Sequence, residues 1–298
     1  MSGIIKIETV TQYNTMRGVS TLHPLITVLD LSKAHPMPAK TFNFGLYAIF
    51  LKELNCGELK YGRNQYDYQE GTLVFISPGQ VLGIQPGVTS FEPKGWAILF
   101  HPDLIKGSSL GRNIQQYSFF SYDVNEALHL SEKEKQLVID AFNKIQYELE
   151  QSIDKHSKML IASNLELFLN YCVRFYDRQF ITRETPHKGI VEKFEALLNS
   201  YFTSEKPQET GLPAVSYFAK ELNLSANYFG DLIRKETGKT AQDYIQSKVI
   251  DLAKERIMNA DHSIREIAYE LGFAYPQHFS RLFKQKVGMT PNAYRNST

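Results

Sequence analysis

The stretch Ser263-Ile-Arg-Glu-Ile-Ala-Tyr-Glu-Leu-Gly272, followed by Phe279, Leu282, Phe283 and Gly288, decides the fold of the C-terminal part. Ser263 and Glu266 have the S-x-x-E spacing of a capping box, so a helix begins there. Ile264, Ile267, Ala268 and Leu271 recur at helical steps and form its buried face. Gly272 stands where the backbone must turn sharply, a position suited to the left-handed region. Ala268 is small and lets a second helix cross close by. Phe279, Leu282 and Phe283 are the buried face of that second helix. Pro276, Gln277, Ser280, Arg281 and Lys284 make up its start and its outer face. Gly288 ends it, and Thr290-Pro291 starts another helix, with Thr as cap and Pro in the first turn.

The same pattern occurs about fifty residues earlier. Ala219, Leu222, Phe229, Gly238 and Thr240 recur as Ala268, Leu271, Phe279, Gly288 and Thr290. In the first copy Val215, Phe218, Ala219 and Leu222 form the leading helix, and Asn223 takes the turn position. Ser225 caps the second helix. Tyr228, Phe229, Leu232 and Ile233 face inward there, while Ala226, Asn227, Gly230, Asp231 and Arg234 face out. Between the copies, residues 240–259 carry an uninterrupted helical pattern about 30 Å long. Two recognition helices one turn of duplex apart need about 34 Å between them. A tandem pair of helix-turn-helix units thus predicts a protein that grips two turns of double-stranded DNA. The donors and acceptors on the outer faces suit base edges and phosphates.

Composition sets bounds on the rest. With 298 residues, 43 % hydrophobic and 22 % charged, the chain can hold one or two domains with real cores. Net charge is +1, but residues 212–298 hold 12 Lys and Arg against 9 Asp and Glu, a mildly basic balance. No apolar run reaches the roughly 18 residues of a membrane span. The N-terminus lacks the pattern of a signal peptide. Cys56 and Cys172 make neither a disulfide framework nor a metal cluster. A cytoplasmic protein without membrane association is expected.

The N-terminal half has another period. Residues 40–103 contain short apolar stretches, Phe44–Leu51 and Thr72–Ile76 among them, broken by turn residues. Leu25–Leu31 is a further candidate strand. Two helical patterns follow. Val138, Phe142, Ile145 and Leu149 share one face, and Ile161, Leu165, Phe168, Cys172 and Tyr176 share another. Each face either packs on the β-structure or pairs with a second copy as a dimer seam. Residues 181–212 read as a linker containing a short helix.

The C-terminal residues also carry a resemblance. Ile264, Ile267, Ala268, Leu271, Gly272 and Phe273, with Phe279-Ser280-Arg281, Phe283-Lys284, Thr290-Pro291 and Tyr294-Arg295, resemble the signature of AraC/XylS-type transcription regulators. The resemblance implies a bipartite DNA-binding domain over residues 213–298, contact with RNA polymerase, and an activating role. Departures fall at Tyr275, Gln277 and His278, where the family often has an acid, Ser and Tyr, and at Gly230, which offers no side chain. They bear on the sequence read rather than on the fold. The N-terminal half is similar, more weakly, to the cupin-type sensor domain of such regulators.

The expected architecture is therefore α+β. A cupin-like β-barrel with flanking helices occupies residues 1–180 and senses a small-molecule effector or dimerises. Lys52, Tyr61, Tyr66, Tyr68 and Phe75 are candidate ligand-pocket residues. No cofactor is expected, since no His-x-His pair occurs and His23 and His101 stand alone. Two rivals remain: a cupin-type enzyme with an accessory helical domain, and a ligand-independent dimeric regulator.

Overall fold

The structure, a computed structural model, describes residues 4–38, 40–52, 71–82, 90–91, 94–123, 126–182, 189–258 and 262–297. The chain divides into two compact units, residues 1–182 and 183–298.

In the first unit the elements run β1 (Ile5–Ile7), α1 (Val10–Arg17), β2 (Ile26–Asp30), β3 (Met37–Pro38), β4 (Phe42–Phe44), β5 (Tyr47–Lys52), β6 (Thr72–Ile76), β7 (Val81–Leu82), β8 (Ser90–Phe91), β9 (Gly95–Phe100), α2 (Pro102–Ile105), α3 (Ser109–Asn113), β10 (Leu128–His129), α4 (Glu132–Glu150) and α5 (Ser157–Thr182). Strands β10-β6-β5-β9-β2 form a five-stranded sheet, β1-β4-β7 a three-stranded one and β3-β8 a pair. The strand expected over Phe44–Leu51 is two strands, because Gly45 and Leu46 break the ladder between β4 and β5.

Alternation along the strands assigns the faces of the large sheet. Ala48, Val74, Ile76, Ala97 and Leu99 share one core cluster with Ile7, Phe42 and Phe44 of the smaller sheet and with Val10 and Tyr13 of α1. The opposite face meets helices and turns. The Phe75 ring lies 4.4 Å from that of Phe119, 5.4 Å from Phe120 and 6.3 Å from Tyr176. With both faces covered, all five residues of β6 are buried.

Two expectations change here, and one open alternative is decided. Among the described residues the strands form separate sheets and no closed barrel, since edge strands β10 and β2 do not pair with each other. The two described members of the proposed ligand-pocket set do not share a face. Lys52 pairs with Thr72 and Phe75 with Ile49, so Lys52 and Phe75 project from opposite faces of one sheet and cannot line one cavity. Phe75 is a core residue, and Tyr61, Tyr66 and Tyr68 lie outside the described residues. Finally, the seam Ile161, Leu165, Phe168, Cys172 and Tyr176 is buried within its own unit. Phe168 meets Phe142 of α4 at 5.3 Å, and Tyr176 stacks on Phe119 at 5.4 Å. Tyr176 also donates to the Glu126 carbonyl at 3.2 Å. This face is spent on the fold and leaves no dimer seam.

The second unit is helical: α6 (Ile190–Thr203), α7 (Lys206–Thr210), α8 (Val215–Glu221), α9 (Ala226–Thr237), α10 (Ala241–Met258), α11 (Ile264–Glu270), α12 (Pro276–Val287) and α13 (Pro291–Ser297). The stretch read as a linker, 181–212, thus supplies two helices to this unit. The α6 residue Phe194 is fully buried and lies 5.1 Å from both Phe218 of α8 and Phe229 of α9. Tyr201 donates to the Gly211 carbonyl at 2.8 Å, fastening the turn that leads into α8.

Candidate nucleic-acid interface

Each helix-turn-helix copy is built from its own local signals. In the first, the Ser225 hydroxyl accepts the Tyr228 N–H at 3.2 Å and starts α9. Asn223 turns the chain with φ +57°, the single positive φ outside glycine among the described residues. In the second copy Ser263 and Glu266 cap α11 reciprocally, at 2.7 and 3.1 Å. The Ser263 N–H and hydroxyl together hold the Glu266 carboxyl below its ordinary range. Gly272 takes the turn with φ +90°, and a Cβ there would sit 2.7 Å from the Gly211 backbone carbon. Glycine is required at that position twice over, by backbone conformation and by the approach of a second strand of backbone. The turn into α12 is one residue longer than the turn into α9, and Pro276 occupies the first turn of α12 in place of a side-chain cap.

The inward faces follow the sequence pattern. Tyr228, Phe229, Leu232 and Ile233 are buried on α9, and Phe279 and Phe283 on α12. The outer faces carry the predicted contact residues. Ala226, Asn227 and Arg234 are exposed on α9, with Gly230 and Asp231 half-buried. On α12 Gln277, Arg281 and Lys284 are exposed, with Pro276 and Ser280 half-buried. The two outer faces belong to one unit and are joined by α10, 18 residues and about 27 Å long.

Basic side chains of this unit fall into two groups. Arg256 pairs with Glu270 at 3.0 Å, and Lys286 with Asp243 at 3.0 Å. Arg295 donates to the carbonyls of Ile257 (2.9 Å) and His262 (2.7 Å), closing the second copy onto the end of α10. These cations hold the fold. By contrast, no protein hydrogen bond or ion pair engages the side chains of Asn227, Arg234, Gln277, Ser280, Arg281 or Lys284 among the described residues. An uncommitted Gln and Arg one helical turn apart match the bidentate geometry used for adenine and guanine edges. The exposed Tyr275 and His278 rings, 5.4 Å apart, flank Gln277 at the same helix end. Both were left out of the contact set read from the sequence. The available signal was their position at the start of the helix, with His278 one turn ahead of Arg281.

The sequence profile of a helix-turn-helix domain family matches residues 218–297. The match thus covers the same region whose residues resemble the AraC/XylS signature. The chain is similar to the HTH-type transcriptional activator RhaS of Salmonella schwarzengrund (strain CVM19633), 25 % identical over 147 residues. That match takes in 49 % of this chain and 50 % of the relative, so about half of the curated relative's length is spanned. Among solved structures, the C-terminal domain of the response regulator yesN from Fusobacterium nucleatum is 26 % identical, covering 35 % of this chain and 95 % of that one, with a TM-score of 0.31. The C-terminal domain of AraT, a response regulator from Geobacillus stearothermophilus, is 25 % identical, covering 39 % and 89 %, with a TM-score of 0.33. Within the matched region Ala268, Leu271, Phe279 and Phe283, which carry the resemblance, are fully buried. The signature therefore specifies packing, and the exposed positions between those residues are left to vary with what is bound.

Proposed function

We propose that this chain is a sequence-specific DNA-binding regulator of transcription. The observation that carries the reading is the pair of helix-turn-helix copies, joined by one helix, whose outward side chains Asn227, Arg234, Gln277, Ser280, Arg281 and Lys284 are unengaged by protein among the described residues. In this reading Gln277 and Arg281 read bases, with Ser280 and Lys284 beside them and Pro276 setting the start of the helix. On the first recognition helix Ala226, Asn227, Gly230, Asp231 and Arg234 face the neighbouring major-groove segment, and Arg234 supplies its cationic contact.

The test is binding to a random-sequence duplex library, with affinity followed against salt. Neutralising six phosphates gives a slope of log K against log[salt] of about −5. Enrichment of a defined motif together with that slope is the expected result, and a flat salt response removes the reading.

The same reading makes the first unit a sensor of cupin type for a small-molecule effector. Its two facing sheets around one apolar cluster support this. Similarity to RhaS, an HTH-type transcriptional activator, supports an activating role, and contact with RNA polymerase belongs to the same reading. The homodimer draws no support from the α5 seam, which the core of the unit consumes.

A further inference from the structure

A cleft of about 380 Å³ lies between the two helix-turn-helix copies. It is lined by Arg234 in the last turn of α9, Lys239 and Thr240 in the turn that follows, Asp243 and Ser247 of α10, and Lys286 of α12. Three of these groups are cations and one is an acid, so the cleft is basic although the chain as a whole carries a net charge of only +1. Thr240 fixes the acid in place. Its hydroxyl accepts the Asp243 N–H at 3.0 Å and donates to the Asp243 carboxylate at 2.8 Å. The Lys286 ammonium reaches the same carboxylate at 3.0 Å from the other copy. The Thr240 hydroxyl and the Lys286 ammonium hold the Asp243 carboxyl below its ordinary range, so it is ionised.

The cleft continues the outer face of the first recognition helix. Arg234 is two helical turns on from Asn227 and shares its exposed face. The side chains of Arg234 and Lys239 are exposed and make no hydrogen bond or ion pair with protein among the described residues. The Lys286–Asp243 pair is open to solvent, with Lys286 27 % and Asp243 49 % exposed, and a pair of that kind contributes little stability. Lys286 can therefore exchange the carboxylate for another anion at small cost. Because the cleft draws residues from both copies, its occupant lies between the segments that α9 and α12 face. In a duplex entered by two recognition helices, the element between those segments is sugar–phosphate backbone bordering the minor groove.

We propose that this cleft is a phosphodiester site, in which Arg234, Lys239 and Lys286 grip the duplex backbone between the two major-groove segments and Asp243 moderates that grip. Lys239 and Lys286 thereby join the contact set, although neither falls on the outer face of a recognition helix. A contact of this kind reads no base and sets affinity and register instead. Asp243 acts in the opposite sense to its neighbours. Its carboxylate repels a phosphate in the cleft and holds Lys286 when no duplex is bound. Removing its charge therefore strengthens binding, the reverse of what an ion pair that only braced the fold would give.

The proposal deepens the DNA-binding reading and rests on it. Its test is fluorescence anisotropy of the full chain on a labelled duplex enriched in the random-library selection, with sodium chloride varied. A flat salt response of the wild type removes that reading and this proposal with it, whereas a steep wild-type slope that the variants leave untouched removes this proposal alone. Lys239→Gln and Lys286→Gln are each expected to weaken binding about fivefold and to reduce the magnitude of the slope by about 0.9, with the selected motif unchanged. Asp243→Asn, which keeps an acceptor for the Thr240 hydroxyl, is expected to tighten binding about threefold. Lys193→Gln makes the same charge change on an exposed position of α6 outside the cleft and is expected to leave affinity and slope as in the wild type. A slope unchanged in Lys239→Gln, a loss in Lys193→Gln as large as in Lys239→Gln, or weaker binding by Asp243→Asn each overturns the proposal. Thermal melts accompany all four variants. If Lys286→Gln or Asp243→Asn lowers the melting temperature, the Lys239→Gln slope decides alone, because the Lys239 side chain bonds to no protein group among the described residues.

Discussion

The two helix-turn-helix copies share one sequence pattern yet differ in what completes them. The first copy is finished by a helix outside the repeat: Phe194 of α6 closes over Phe218 and Phe229. The second is finished largely near itself, where Phe273 meets Phe279 at 5.3 Å and Tyr294 of α13 meets Phe283 at 5.5 Å, although its turn at Gly272 also packs on the Gly211 backbone. Their outer faces differ as well. That of α9 offers a glycine, one acid and one base, whereas that of α12 offers Gln277, Ser280, Arg281 and Lys284. The two copies share the packing positions, which must satisfy the same helix crossing, and differ at the exposed ones. The second copy is thereby the better reader of sequence, and the first is the better anchored to what precedes it.

The largest expected effect tests the difference in anchoring. Phe194→Ala removes a fully buried ring and should cost about 3–5 kcal/mol. Tyr294→Ala, at a half-buried ring, should cost about 1–2 kcal/mol. Urea unfolding of the full chain measures both, and equal costs would erase the distinction. Next comes the turn. Gly272→Ala forces a Cβ into positive φ and against the Gly211 backbone, and should cost about 2–3 kcal/mol. Asn223→Gly, at the equivalent turn, should stay within about 0.5 kcal/mol, since glycine adopts that conformation freely.

Base reading sharpens the comparison further. Gln277→Ala and Arg281→Ala should each lose about 1–3 kcal/mol of affinity and relax preference at one base pair. Asn227→Ala and Arg234→Ala should alter the selected motif less. Selection on all four variants decides this, and motifs unchanged by either α12 substitution would count against base contact there. A smaller change is expected from Lys284→Ala, which should weaken binding evenly across sequences and reduce the magnitude of the salt slope by about 1.

The smallest effect concerns the start of the second copy. The Glu266 carboxyl is held below its ordinary value by the Ser263 N–H and hydroxyl. A group whose folded pKa is depressed stabilises above its unfolded pKa, and that increment is lost as pH falls through the folded pKa. The first copy has no such box at Ala214. Glu266→Gln, which keeps the reciprocal cap, should therefore differ from wild type at neutral pH and converge with it in acid. Melting curves between pH 7 and pH 3 would show a constant difference if the carboxylate charge played no part.

Local rules carried much of the C-terminal unit. Capping residues, the turn positions Asn223 and Gly272 and the three-four apolar spacing act over a few residues, so they can be read without partners. They marked α8 to α13 and put the candidate contact residues on exposed or half-buried positions. The strands β2 and β6 were legible for the same reason. What could not be read was which face an apolar pattern turns toward. The α5 stripe has the same spacing whether it meets a second chain or its own sheet, and only the positions of Phe119, Phe142 and Glu126 showed that it is core. Lys52 and Phe75 looked like one pocket because spacing along a chain does not give register across a sheet.

The sequence by itself determined the two helix-turn-helix copies, their turns and their outward side chains, because those features rest on hydrogen bonds and periodicities within about ten residues of each other. Tertiary structure alone decided that residues 190–210 belong to the helical unit, that the strands form open sheets among the described residues, and that Arg17 lies buried near Tyr13 with no ion pair among the described residues. Each of these depends on groups brought together from distant parts of the chain. Packing, burial and the pairing of charge are properties of that assembly, and no local pattern encodes them.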